Sequence, residues 1–345
     1  MSARQVTAAH LLLVSCLAVV PISVTGSPMV APGDPRAAAI EAAAPVPSAA
    51  PKTPEAKGPS DLLVKVEVLL DRANVSPGVI DGLPGDNLSQ ALSMFAKIAG
   101  MPADGALTPA LFQRLTSGDR SPVIQAYVIT AADEAGPFLG KTPTNFVAMA
   151  KLKHLGYIGP AEELAERFHM SVSLLHALNP QADFGVAGTS LLVALPSSGI
   201  LGRPVARIEV DKGANQVRAL DTDGHVVATF PATVGSTERP APSGTWAVRT
   251  VVRNPNYTYD PRRLTFGRKG MGVLTIPPGP NNPVGSTWIA LTTATYGIHG
   301  SPDPNQVGKT ASHGCVRLTN WDASTLGRAV KRGTPVVFVG TTTKS

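Results

Sequence analysis

Cysteine is nearly missing from this 345-residue chain: there are two, Cys16 and Cys315. Aromatic residues reach only 5% and charged residues 16%, a low share for a globular protein. Lysine and arginine form no run of five, and no basic stripe is interleaved with stacking rings. The net charge of +6 therefore does not read as a nucleic-acid surface; it suits an acidic wall polymer or anionic lipid. Long apolar runs are lacking as well. The stretch Leu11 to Val24 is broken by Pro21 and falls short of the ~18 residues that a membrane span needs.

That apolar stretch follows Arg4 and ends in small residues near Gly26, the pattern of a secretory signal peptide over residues 1–26 rather than an anchor. A lipoprotein site at Cys16 is disfavoured because the residues after it, "LAVV", stay apolar. With the signal removed, Cys315 is the one remaining thiol, so no intramolecular disulfide forms. A lone thiol in an exported protein invites a catalytic reading.

What the chain does have is 33 glycines and 32 prolines, a balance that favours strands, turns and linkers. Residues 27–60 are rich in Ala, Pro and Ser, with few large apolar side chains, and read as a disordered linker. In residues 61–116, Leu62, Val66, Leu69 and Leu70 keep helical spacing, Gly78, Gly82 and Gly85 mark a turn, Leu88, Leu92 and Phe95 a second helix, and a third follows "ADG". Residues 153–197 read helix, turn, helix, loop, strand, with no leading strand evident. His169 and His176 on those helices are taken as surface or packing residues. From residue 204 to 340 the pattern turns to alternating apolar and polar residues around turns such as "KGAN" and "TDGH", which predicts hairpins. A helix over "NWDASTLGRAVKRG", with Asn320 as N-cap, and a last strand "TPVVFV" close this region.

The chemistry gathers in "GIHGSPDPNQVGKTASHGCVRLTN", residues 297–320, which hold two of the seven histidines and Cys315. A thiol with a free pKa of ~8.5 is mostly protonated near neutrality, so a neighbouring imidazole is expected to favour the thiolate. His313, two residues from Cys315, shares its face on an extended strand. His299 reaches the sulfur only if the loop from Gly300 to Ala311 folds back. Backbone N–H groups around Gly314 and Cys315 could face a developing oxyanion. A zinc site would need a further acidic or thiol ligand, and the spacing fits no common zinc pattern. A structural core cysteine is the other alternative.

At "HGSPDPNQVGKTASHGCVRL" the chain resembles the L,D-transpeptidase catalytic domain of the YkuD family, a likeness that runs from Arg207 to Gly340 and includes "VGSTERPAPSGTW". The resemblance implies a multidomain protein whose 204–340 region is a mainly β, mixed sandwich. Residues 61–116 are similar to a small all-α peptidoglycan-binding domain, and 153–197 to a degenerate α+β LysM module. It further implies Cys315 as nucleophile, His299 as base, the Gly300 carbonyl as the group fixing its tautomer, Ser312 and His313 lining the pocket, and Gly314 and Cys315 supplying oxyanion donors. Arg317 would bind a substrate carboxylate or pair with a structural acid. A flap is expected over Arg253 to Met271, with Tyr257 and Tyr259 covering substrate and Arg262, Arg263 and Arg268 meeting carboxylates. The implied partners are peptidoglycan stem peptides and glycan, with an envelope protein as a further acyl acceptor. No cofactor, no metal, no nucleic acid and no obligate oligomer is expected. The expected location is the bacterial periplasm or cell wall. Two rival readings stand beside transpeptidation: a carboxypeptidase that uses water as acceptor, and a non-catalytic wall-binding protein.

Overall fold

The computed structural model describes residues 34–45, 58–236, 240–262, 272–310 and 314–341. The expected signal peptide and much of the expected linker lie outside them. Among the described residues no helix is long and apolar enough to cross a membrane.

Helices α1 (Pro35–Ala42), α2 (Asp61–Arg72), α3 (Asp86–Ile98) and α4 (Pro109–Gly118) open the chain. Strand β1 (Ile124–Val128) follows, then short helices α5 (Ala131–Ala135) and α6 (Phe146–Met149), α7 (Pro160–Arg167), α8 (Val172–Leu178) and strand β2 (Ser190–Ala194). The three helices between residues 61 and 118 fall where apolar spacing predicts them. β1 supplies a leading strand that the sequence reading does not find; it pairs antiparallel with β2, Ile124 opposite Ala194. The expected linker also contains more order than its composition implies. Asp34 caps α1 by accepting from the Arg36 and Ala37 N–H groups, Ile40 is fully buried, and the Glu41 carboxylate accepts from the Val123 and Ile124 N–H groups at 2.6 and 3.1 Å. A helix this short persists because partners across the fold hold it.

These elements share a common apolar core. Ile40, Leu70, Leu88, Leu115, Ile124, Leu164, Leu174 and Val193 belong to one apolar core. Full burial of each large aliphatic side chain contributes about 1.5–3 kcal/mol before entropy is counted, which holds these elements together.

The second half holds β3 (Arg207–Asp211), β4 (Gln216–Leu220), β5 (Val226–Pro231), β6 (Thr233–Val234), β7 (Gly244–Arg253), β8 (Tyr257–Tyr259), β9 (Leu274–Ile276), β10 (Thr287–Leu291), β11 (Gly297–His299), β12 (Val316–Arg317), helix α9 (Asn320–Ala329) and β13 (Pro335–Val339). Nine of the strands make one sheet in the order β5-β4-β3-β13-β7-β10-β11-β12-β6. The two outermost strands, β5 and β6, are separated in sequence by Ala232 alone. The sheet therefore curls, bringing its two outer strands next to each other at Ala232. The expected mainly β domain is present as a barrel-like arrangement around a core of Ile208, Val217, Phe230, Ile289, Ile298, Leu318 and Leu326. Helix α9 packs on β10 and β11, and its N-cap is Thr319, one residue ahead of the predicted Asn320.

The helical unit docks on this sheet. Ser76 N–H donates to Thr229 O and Thr229 N–H to Asn74 O, both at 2.9 Å, which covers the free edge of β5. Asn87 Nδ2 donates to Val307 O at 2.9 Å, in the loop that joins β11 to β12.

Candidate active site

Strands β11 and β12 run parallel, with Ile298 opposite Val316 and His299 opposite Arg317. Side chains alternate faces along a strand, so Gly297, His299, Cys315 and Arg317 share one face while Ile298 and Val316 point into the core. Cys315 thus stands diagonal to His299, ~7–8 Å away between backbones, and both line the same pocket. The sequence requirement that the 300–311 loop fold back is met by this pairing, and Leu318 N–H donating to His299 O at 2.8 Å extends it.

His299 is buried, at 3% exposure, and its ring stacks on Trp288 with centroids 5.3 Å apart. Its Nδ1 lies 2.7 Å from Gly300 O. A carbonyl only accepts, so Nδ1 carries the proton and Nε2 is left with its lone pair. Burial pushes the imidazole pKa down to about 4, against the bond to Gly300; the Arg317 charge lowers it further.

Cys315 is half-buried, and its thiol lies 3.8 Å from Thr295 O as a weak donor. Burial pushes the thiol pKa up, outweighing the Gly297 N–H and the Arg317 cation that favour the thiolate. The expectation of a thiol ionised at rest is therefore reversed: both partners are held neutral, because the low-dielectric pocket penalises separated charges. Gly314, at φ +109°, turns the chain into β12 through a conformation that side-chain-bearing residues rarely adopt.

His299, Cys315 and Arg317 open into a pocket of about 840 Å³. Tyr257 lines it, as do Trp288, Tyr296 and Arg262; Arg262 is engaged with Asp260 at 2.9 and 3.0 Å. Arg317 lines it without an ion pair to any described acid, so the structural-acid alternative finds no partner among the described residues. Tyr259 is corrected. It is 2% exposed and packs with Leu155, Ile276 and Phe146 instead of lining the pocket. Ser312 and His313, and the flap's Arg263 and Arg268, lie outside the described residues. The sequence reading missed Trp288, Tyr296 and Phe146 as pocket residues, because an aromatic side chain carries no signal that separates a core place from a wall place.

A family model described as the L,D-transpeptidase catalytic domain, YkuD, matches residues 205–338, which span the curled sheet but for the last residue of β13, and include His299 and Cys315. This region is thus similar to L,D-transpeptidase catalytic domains. Among curated proteins, the chain is 29% identical to YkuD of Bacillus subtilis strain 168 over 177 residues, 51% of this chain and 90% of that protein. It is 30% identical to ErfK/SrfK of Escherichia coli strain K12 over 186 residues, 52% of this chain and 59% of that protein. Both bear L,D-transpeptidase names. Among solved structures, an L,D-transpeptidase from Mycobacterium smegmatis aligns with 18% identity and a TM-score of 0.33, over 45% of this chain and 64% of that one. The matched domain leaves the helical half of this protein outside it.

Proposed function

We propose that the protein is an exported enzyme that remodels peptidoglycan by cysteine-based acyl transfer. Cys315 attacks the carbonyl that joins the third, diamino-acid residue of a tetrapeptide stem to its terminal D-alanine. As the S–C bond forms, the thiol proton passes to His299 Nε2, and the imidazolium returns it to the leaving D-alanine amine when the C–N bond breaks. A thioester on Cys315 remains. The amine of a second stem, or of an envelope-protein lysine, then attacks it and restores the thiol. Arg317 holds a substrate carboxylate, the backbone around Gly314 and Cys315 faces the oxyanion, and Ser312 and His313 line the same pocket.

The observation that carries this reading is the placement of a lone thiol and a base-ready imidazole on one face of the β11/β12 pair, open to the pocket. Because both are neutral at rest, the proton moves with the attack and no standing thiolate is needed. The helical half, read as a wall-binding region of peptidoglycan-binding and LysM type, would raise the local concentration of an immobile substrate. The test is incubation of the mature protein with purified muropeptides and separation of the products. D-Alanine release with new crosslinks supports transfer to an amine, release without crosslinks places water as acceptor, and neither product rejects the enzyme reading.

A further inference from the structure

One residue of the catalytic pocket comes from outside the matched domain. Phe146, the first residue of α6, lines it, whereas the other lining residues lie between Val252 and Arg317. The helical half thus supplies part of the wall.

Phe146 is held in place by a lock between the two halves. Asn145 caps α6, accepting from the Ala148 N–H at 2.8 Å. Farther along, Leu155 N–H donates to Pro278 O at 2.8 Å, Leu155 O accepts from the Asn281 N–H at 3.0 Å, and Asn281 Nδ2 donates to Gly156 O at 2.9 Å. Gly279, at φ +145°, approaches so closely that a Cβ there would lie 2.0 Å from Leu155 O. Around this seam Leu155, Tyr259 and Ile276 form a small core against which Phe146, Met149 and Leu152 pack. The Phe146 ring leans on Tyr259 and Tyr257, with centroids 4.6 and 5.8 Å apart. Both tyrosines belong to β8, within the expected flap, which pairs with β9 just beyond it.

Core packing alone does not account for the position. The ring stays half-buried, and two more apolar side chains, Val252 and Val273, line the same pocket at 38% and 51% exposure. A phenyl ring and two valines facing water in one concave site make an apolar surface of the kind that a ligand covers. Arg317 supplies the polar counterpart in the same pocket.

We propose that Phe146 is a specificity-determining residue of the acyl-transfer reaction, forming with Val252 and Val273 the apolar wall that receives the aliphatic side chains of the donor peptide. This rests on the transpeptidase reading above and adds to it that donor recognition is shared between the catalytic domain and the helical half.

The test is calorimetric titration of the full-length Cys315→Ser protein with a tetrapeptide stem, alone and combined with Phe146→Ala or Phe146→Leu. Loss of the ring is expected to weaken binding about tenfold, and the leucine, which keeps apolar packing, about threefold. In proteins that retain Cys315, KM should rise in the same ratio with kcat changed less, while alkylation of Cys315 by iodoacetamide, too small to use the wall, keeps its wild-type rate. Unchanged stem binding in Phe146→Ala overturns the inference. So does a parallel fall in alkylation rate and melting temperature, which would make the ring a mere support of the β8/β9 hairpin. If the wild-type protein neither releases D-alanine nor binds the stem, the transpeptidase reading fails and takes this inference with it; normal wild-type turnover with an indifferent Phe146 sinks the inference alone.

Discussion

Cys315, His299 and Arg317 show what burial does to a motif. The spacing of the histidine and the Ser-His-Gly-Cys block points to the proposed reacting groups, but their charge state depends on solvent exclusion, which spacing does not encode. Burial raises the thiol pKa and lowers that of His299 to about 4. Alkylation of Cys315 by iodoacetamide in the resting protein should therefore rise only at alkaline pH, and Arg317→Gln, which removes a cation favouring the thiolate, should move that rise higher; an acidic midpoint would contradict it. The base must be neutral to act. Its protonation begins only as pH falls towards about 4, so kcat/KM for D-alanine release should persist through pH 5–6, where an ordinary histidine would already be charged. His299→Ala should cost about 10²–10⁴ in kcat, because the thiol then loses its proton acceptor. Tyr259 marks the limit of reading residues singly: its place two positions from Tyr257 gave no sign that it belongs to the Leu155 core.

Among the elements, long periodic ones were legible and those held by distant partners were not. The apolar spacing of Leu62, Val66, Leu69 and Leu70 marks α2, and the alternation from Arg207 onward marks the hairpins, because a local period reports the face each element buries. Helix α1 carries only Ala37 and Ile40 into the core and depends on Glu41 binding the start of β1, a contact between residues 82 positions apart. β1 in turn needs β2 as its partner. The curl of the sheet was hidden in the shortness of the β5–β6 connection, which becomes informative only once strand order is known. At this scale, α9 stands behind β10 and β11 and begins with Thr319 Oγ1 accepting from the Asp322 N–H at 3.1 Å. Thr319→Ala should lower stability by about 1 kcal/mol in urea unfolding, since that N–H is then left without its cap; no loss would show that packing on the sheet alone fixes the helix.

Across the whole molecule, the seam between the helical half and the curled sheet is lined by buried acids. Asp322 accepts from Ser76 Oγ at 3.0 Å, and its pKa is raised to about 7 by burial and by the nearby Asp71. Glu166 accepts from Tyr157 and Asn320, both at 2.9 Å, and is likewise raised to about 7 by burial, with Glu162 adding repulsion and His169 opposing it. A carboxyl with a raised folded pKa binds its proton more tightly in the fold than in the unfolded chain. Its contribution is fully present below about pH 4 and is lost as pH rises through about 7. The protein should melt at a lower temperature at pH 8 than at pH 6, and Asp322→Asn should narrow that difference; an equal or larger difference in the variant would place the pH sensitivity elsewhere. The central claim, that Cys315 carries the acyl group, is tested most directly by intact-protein mass spectrometry after incubation with a tetrapeptide stem. The predicted result is a hydroxylamine-labile adduct of the stem minus its D-alanine on the wild-type protein and none on Cys315→Ser. D-Alanine release that persists in Cys315→Ser, or an adduct on another residue, would contradict it.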